Sequence, residues 1–246
     1  MRGVRRVQGV RGAKGAKGAQ GAALSSDQDT RERLLTEAAR LFAARGFARV
    51  TVRDICRAAN ANVAAVNYHF QGKRGLYDAV VRMAIERMQQ TTEAAQEAGR
   101  GMPASGQLAS YVSVFLQRVI PHRDGWIHQL MVRELAEPTP ALQLVVREVL
   151  EPRARYLTRI VASIMQLRTD DLRVQRAVVS VNSQCFAAID SRLPVSAFSP
   201  TTPAGVDDLA DHIASFSLGG IQRLTSSPRA TRGTRPARRA RLPRRP

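Results

Sequence analysis

Apolar residues return along this chain at intervals of three and four, and no strand-like alternation persists, so the pattern predicts an all-α protein. A first helix is expected from Asp29 to Ala44, with Asp29 and Glu32 in a capping pattern and Leu34, Leu35, Ala38, Leu41 and Phe42 as its buried stripe. Gly46 should stop it, and Phe47 and Val50 are positioned to plug the core. A second helix starts at Thr51, whose hydroxyl can cap free N–H groups while Asp54 completes a capping box; Val52, Ile55, Cys56 and Ala59 form its stripe. Asn60, Ala61 and Asn62 make the turn, because Asn tolerates the left-handed backbone that ends a helix and can cap the next one. The third helix, Val63 to about Phe70, is expected to bury Val63, Val66 and Phe70 and to turn Ala64, Ala65, Asn67, Tyr68 and His69 outward.

The remaining pattern is helical as well. A long fourth helix spans about Lys73 to Ala98, and a linker with Pro103 follows. A fifth helix carries Leu108, Tyr111, Val112, Phe115, Leu116 and Val119 and ends at Pro121. A sixth spans about Asp124 to Ala136. Thr139 caps a seventh, with Pro140 in its first turn, and Pro152 should kink or break it before it resumes through Leu157, Ile160, Val161 and Ile164. Two last helices, about Asp170 to Arg192 and Val206 to Leu224, mix apolar and small residues.

Two short helices joined by a tight turn and followed by a basic helix start have the layout of a DNA-binding helix-turn-helix. A recognition helix reads bases with residues from its N-terminal part while its flanks hold phosphates. Ala64, Ala65 and Asn67 are therefore assigned to base edges: an Ala methyl can pack on a thymine methyl, and Asn suits the acceptor and donor of adenine. Tyr68, His69, Lys73, Thr51 and Arg53 are assigned to phosphate. The bland alternative for His69 and Tyr68 is that they cover the bundle rim.

The wording of this segment resembles the TetR/AcrR family of bacterial regulators. The resemblance rests on Thr51, Val52, Asp54, Ile55, Val63, Tyr68, His69, Phe70, Lys73, Leu76 and Tyr77, and covers about 50 residues. Asn60 and Asn62 depart from the family's usual Gly-containing turn. The stretch from 126 to about 192, beginning WIHQLMVRELAEPTPALQLVVREVLEPRARYLTRIVASIM, is similar to the C-terminal domain of the CecR-type subgroup, which includes regulators tied to antibiotic sensitivity and efflux. The resemblance implies a three-helix DNA-binding domain at 25–75 and a larger ligand-binding and dimerisation domain at 76–227. It further implies pairing of the last two helices with their twins in a homodimer, and an inducer pocket among the middle helices. Met88, Tyr111, Phe115, Trp126, Met131 and Tyr156 are candidates for the pocket wall, with His122, His128, Arg133 and Glu134 as polar anchors. Ordinary core packing is the rival reading of each aromatic and Met, and a salt bridge that of Arg133 with Glu134.

Composition changes this picture in one respect. The formal charge is +18, but residues 1–24 carry six basic side chains and residues 228–246 carry eight Arg, with no acid in either tail. Both tails are too poor in apolar residues to fold and are expected to be disordered. The head holds nine Lys and Arg against five Asp and Glu, and residues 76–227 are neutral overall. The tails open a rival function, an architectural protein that coats DNA without sequence preference. Cys56 and Cys185 both lie in apolar stripes and read as buried thiols. The pattern contains no catalytic constellation, cofactor motif or spaced metal ligands, so an enzyme is not expected. No run of 18 apolar residues and no signal-like N-terminus occurs, so the expected location is the cytoplasm, away from membranes. The leading expectation is a ligand-responsive repressor that binds a double-stranded palindromic operator as a homodimer under a small-molecule inducer.

Overall fold

A computed structural model describes residues 15–122, 125–189, 200 and 202–226 of the chain. Every element among the described residues is helical: α1 (Gly15–Arg49), α2 (Val52–Ala59), α3 (Val63–Phe70), α4 (Lys73–Ala98), α5 (Ala104–Val119), α6 (Trp126–Ala136), α7 (Ala141–Val145), α8 (Glu151–Met165), α9 (Leu172–Ile189) and α10 (Pro203–Ser226). The tail 228–246 and residues 1–14 lie outside the described residues. Residues 15–24, expected to stay unfolded, continue the helical backbone of α1.

Gly46 interrupts α1 as its position predicts, with φ 79 and ψ 161, a backbone that side-chain-bearing residues avoid. The interruption orphans the carbonyls of the preceding turn. Arg133 of α6 satisfies two of them: its Nε donates to the Ala43 carbonyl at 2.6 Å and an Nη to the Ala44 carbonyl. Arg133 was expected as a ligand anchor. It is instead a helix cap supplied from another part of the chain.

Pro152 neither kinks nor breaks its helix in the expected way. Between α7 and α8 the backbone passes through a π-helical stretch, Val146–Leu150, so α7 and α8 form one continuous rod. A π turn accommodates an extra residue just where proline, lacking an N–H, cannot sustain the regular ladder. Thr139 caps the start as expected, its Oγ1 accepting from the Ala141 N–H at 3.2 Å.

Two apolar cores form, and their boundary does not follow chain order. One joins α1–α4 to Leu130 of α6 and to Ala141, Val145 and Val149. The other joins α5, α8, α9 and α10 and takes Ala95 from the far end of α4. The helix α4 contributes to both. Where α6 meets the first core, Glu134 is 2% exposed and accepts hydrogen bonds from the Tyr77 hydroxyl and from the Thr139 N–H and hydroxyl at 3.2 and 3.0 Å. Burial, then the Glu134 carboxylate, hold the Tyr77 phenol well above its usual pKa, so it stays a donor. Phe42 and Phe47 enclose the Tyr77 ring, each with its centroid 4.9 Å away. Glu134, another expected ligand anchor, is thus a buried acceptor that fastens α6 to α4.

Cys56 and Cys185 are buried free thiols, one in each core, and burial pushes Cys185 up to about 12. No described helix is long and apolar enough to cross a membrane.

Replacing Glu134 with Ala leaves a buried Tyr hydroxyl without its acceptor. The expected loss of unfolding free energy in urea is about 1–3 kcal/mol, against less than about 1 kcal/mol for an exposed control such as Glu97→Ala.

Candidate nucleic-acid interface and the cavity behind it

The helix-turn-helix is built by caps. Thr51 has extended backbone at φ −104 and ψ 156, and its Oγ1 accepts from the Asp54 N–H at 3.2 Å. The Asp54 carboxylate accepts from the Thr51 N–H at 3.0 Å and from its hydroxyl at 2.6 Å, bonds that hold the carboxyl below its usual range. The capping contribution is therefore complete above the ordinary carboxylate pKa and is lost as pH falls through the lowered one. Asn60 ends α2 in the left-handed region at φ 47 and ψ 54, with the Ala61 N–H on the Cys56 carbonyl at 2.9 Å. Asn62 then caps α3, its Oδ1 accepting from the Ala64 N–H at 3.0 Å. A close approach follows: a Cβ on Gly75 would lie 1.9 Å from the Phe70 carbonyl oxygen, so only glycine lets α4 start this near the end of α3.

Along α3 the covered arc runs from Ala65 through the His69 side chain and Val66 to Phe70. Ala64, Asn67 and Tyr68 are exposed as expected, Tyr68 at 76%. Two positions exchange roles. Val63, expected in the stripe, sits past the edge of the arc and is 41% exposed, while Ala65, expected outward, packs partly buried against the core. On α2, Arg53 is exposed, and Thr51 before it is exposed with its hydroxyl engaged in the cap.

Two expected phosphate ligands are engaged within the protein. The His69 Nε2 is 3.3 Å from Asp27 Oδ1 and its side chain is only 7% exposed, so it clips α3 to α1. Arg31, also from α1, lies over the Phe70 ring at 5.4 Å. The Lys73 ammonium rests 4.4 Å above the Phe47 ring and 3.4 Å from the Ala48 carbonyl, pinning the start of α4 to the last turn of α1, beyond the Gly46 break. Neither residue is part of a freely exposed cationic face. The sequence could not foresee this, because each partner lies some 25 to 42 positions away.

Behind the head, α4–α9 surround a cavity of 870 Å³, within the size range of small-molecule sites. Met88, Phe115, Trp126 and Met131 line it as expected, together with His122 and His128. Tyr111 and Tyr156 do not. Both are buried in the second core with their hydroxyls satisfied internally, Tyr111 on Asn182 Oδ1 at 3.0 Å and Tyr156 on the Ala95 carbonyl at 3.4 Å. Arg133 and Glu134 border a separate, smaller cavity of 310 Å³ at the joint between α1, α4 and α6. Arg153 is among the lining residues that the sequence reading did not name. Arg153 is 7% exposed and sits on the same stripe as Leu157 and Ile160, so a cation at an apolar helical position was the available signal.

Residues 34–80 match the family model described as bacterial regulatory proteins of the tetR family, and residues 104–221 match the C-terminal domain of the HTH-type transcriptional dual regulator CecR. The chain belongs to the TetR family of DNA-binding transcriptional regulators, with a CecR-like C-terminal domain. Among curated relatives, a probable HTH-type transcriptional regulator YttP from Bacillus subtilis is 28% identical over 142 residues, 52% of this chain and 68% of its own. Among solved structures, a TetR-family regulator from Streptomyces coelicolor superposes with a TM-score of 0.59 at 22% identity, covering 79% of this chain and 97% of its own. A tetR-family regulatory protein from Rhodococcus gives 0.60 at 19% identity, covering 78% and 96%. These last two establish likeness of fold.

In this TetR-family head the turn carries an unusual residue where the backbone is left-handed. Asn60→Gly should be neutral or slightly stabilising in thermal unfolding, whereas Asn60→Val should cost about 1–2 kcal/mol, because a β-branched side chain resists positive φ.

Proposed function

We propose that this TetR-family regulator is a ligand-responsive repressor that binds a palindromic operator as a homodimer. The observation that carries the proposal is the path of α4, which begins beside α3, passes Met88 and Thr91 on the cavity wall, and ends with Ala95 in the second core. A ligand that favours one packing of the cavity thereby biases the placement of the head, and a state that fits the operator poorly releases the DNA. In this reading residues 25–75 are the DNA-binding unit and 76–227 the ligand-binding and dimerisation unit, acting in the cytoplasm where the chromosome is accessible.

The division of labour on DNA follows from exposure. Asn67 and Ala64 read base edges, and Val63 extends the apolar contact to a thymine methyl, with Ala65 letting the helix backbone approach closely. Arg53 and Tyr68 hold phosphate, with Thr51, Lys73 and His69 contributing mainly by fixing the helices that carry these groups. Dimerisation is supported by the surface of α9 and α10, where Val179, Phe186 and Phe216 are 63%, 51% and 67% exposed. Gly219 and Gly220 of α10 have nothing near their missing Cβ positions, leaving room for a second helix. Two recognition helices about 34 Å apart would then meet successive major grooves.

Fluorescence titration with DNA from the gene's own genomic neighbourhood should show affinity well above random DNA. Equal affinity for both would remove the specific-operator reading. Retained binding after deletion of 1–24 and 228–246 separates it from tail-driven DNA coating. Within the operator complex, Asn67→Ala should alter preference at one base pair by roughly 1–3 kcal/mol, while Arg53→Ala should weaken all sequences and lower the salt slope by about 1. Phe216→Glu should shift sedimentation from dimer to monomer and reduce operator affinity without changing the helical content.

A further inference from the structure

Arg153 is an unusual occupant of a cavity wall. It projects from α8 and is 7% exposed. Its Nε donates to Thr92 Oγ1 at 3.1 Å and an Nη to the Met88 carbonyl at 2.9 Å, both on α4. Its guanidinium carbon lies 5.2 Å from the centre of the Phe115 ring. Guanidinium has five N–H donors, so these two bonds with described residues leave donors to spare. No described carboxylate pairs with it, whereas the exposed Arg147, Arg155 and Arg168 and the half-buried Arg173 each have one. Burial depresses its pKa, and the nearby Tyr111 phenol opposes the effect without cancelling it.

The rest of the cavity has the same bias. Arg87 and Arg118, both exposed, stand on its border, His122 and His128 add imidazoles, and its described lining contains no Asp or Glu. The remaining wall is mainly Met, Trp, Phe and aliphatic side chains. A buried cation without a counter-charge is costly, and the cost is recovered when an anion binds it in the same low-dielectric space. An apolar chamber with one such cation at depth matches a molecule with the complementary pattern.

We propose that the cavity takes an organic acid, a molecule with one anionic head and a predominantly apolar body, with the head on Arg153 and the body against Phe115, Trp126 and Met131. The proposal deepens the ligand-responsive reading and rests on it. It also connects the ligand to the head. The guanidinium that would receive the acid on its spare donors is the group that ties α8 to Thr92 and Met88, so an arriving anion draws it toward the cavity and loosens the grip of α8 on α4.

The test uses the full-length protein and two fluorescent probes with the same aromatic body, anilinonaphthalene sulfonate and its uncharged parent N-phenylnaphthylamine. Energy transfer from Trp126, the chain's single Trp, reports occupancy of this cavity. The sulfonate should bind about tenfold or more tightly than the neutral probe, the gain expected from one buried charge-assisted contact. Arg153→Gln should abolish that preference while changing neutral-probe affinity by less than about threefold, and Arg153→Lys should retain part of it. Circular dichroism melts establish that each variant is folded. Equal affinity of the wild type for the two probes overturns the acid site, as does absence of binding by both. A parallel loss of both probes in Arg153→Gln also overturns it and makes Arg153 a strut between α4 and α8. The same titrations in the presence of operator DNA separate the two readings. Neutral-probe binding that releases DNA keeps ligand response and discards the acid. A sulfonate preference that depends on Arg153 but leaves DNA affinity unchanged keeps the acid site and discards ligand response.

Discussion

A carboxylate buried in an apolar core has to be fully hydrogen-bonded, and Glu134 meets that requirement by joining three parts of the chain. Tyr77 brings α4, Thr139 brings the entry to α7, and Glu134 itself fixes α6. Its neighbour Arg133 reaches in the other direction to the carbonyls that Gly46 leaves open at the end of the long part of α1. Two adjacent side chains of opposite charge therefore do not pair with each other. Each satisfies buried or orphaned backbone and side-chain groups elsewhere, and α6 becomes part of the head's core rather than a neighbour of it.

That arrangement makes the head more than three helices. Leu130, Val145 and Val149 pack in the same apolar cluster as Phe42, Ile55 and Val66. Any movement of α6 or α7 must be accommodated by the helices that carry the DNA-reading residues, since cores at this packing density do not deform gradually. Because α6 also supplies Trp126 and Met131 to the cavity wall, the cavity and the head share one rigid element as well as the length of α4.

Charge plays a narrower part than the composition indicates. The formal +18 is concentrated in tails at the chain ends, and the head's own excess is +4. Even within that excess, Lys73 is committed to Phe47 and Ala48, and Arg31 to the Phe70 ring. Specific reading thus depends on a small exposed set on α3, held at the right angle by caps and an aromatic cluster. It depends less on the electrostatic attraction that any basic protein has for DNA.

Local chemistry was legible in the sequence wherever a feature is made by residues a few positions apart. The capping box at Thr51 and Asp54, the left-handed Asn60, the Asn62 cap and the Gly46 break all follow from side chains acting on backbone within one turn. The all-helical class followed from periodicity, and four of the residues proposed for the cavity wall, Met88, Phe115, Trp126 and Met131, do line it. Tertiary structure decided what periodicity cannot express: which side of a two-turn helix is covered, and which distant group a polar side chain meets. It exchanged Val63 with Ala65, turned His69 toward Asp27, withdrew Tyr111 and Tyr156 into the core, and separated Arg133 and Glu134 from the cavity. It also placed Arg153 there in their stead. The physical reason is the same in each case. A buried polar or aromatic group is assigned its role by the partner that satisfies it, and for these residues most partners lie tens of positions away along the chain.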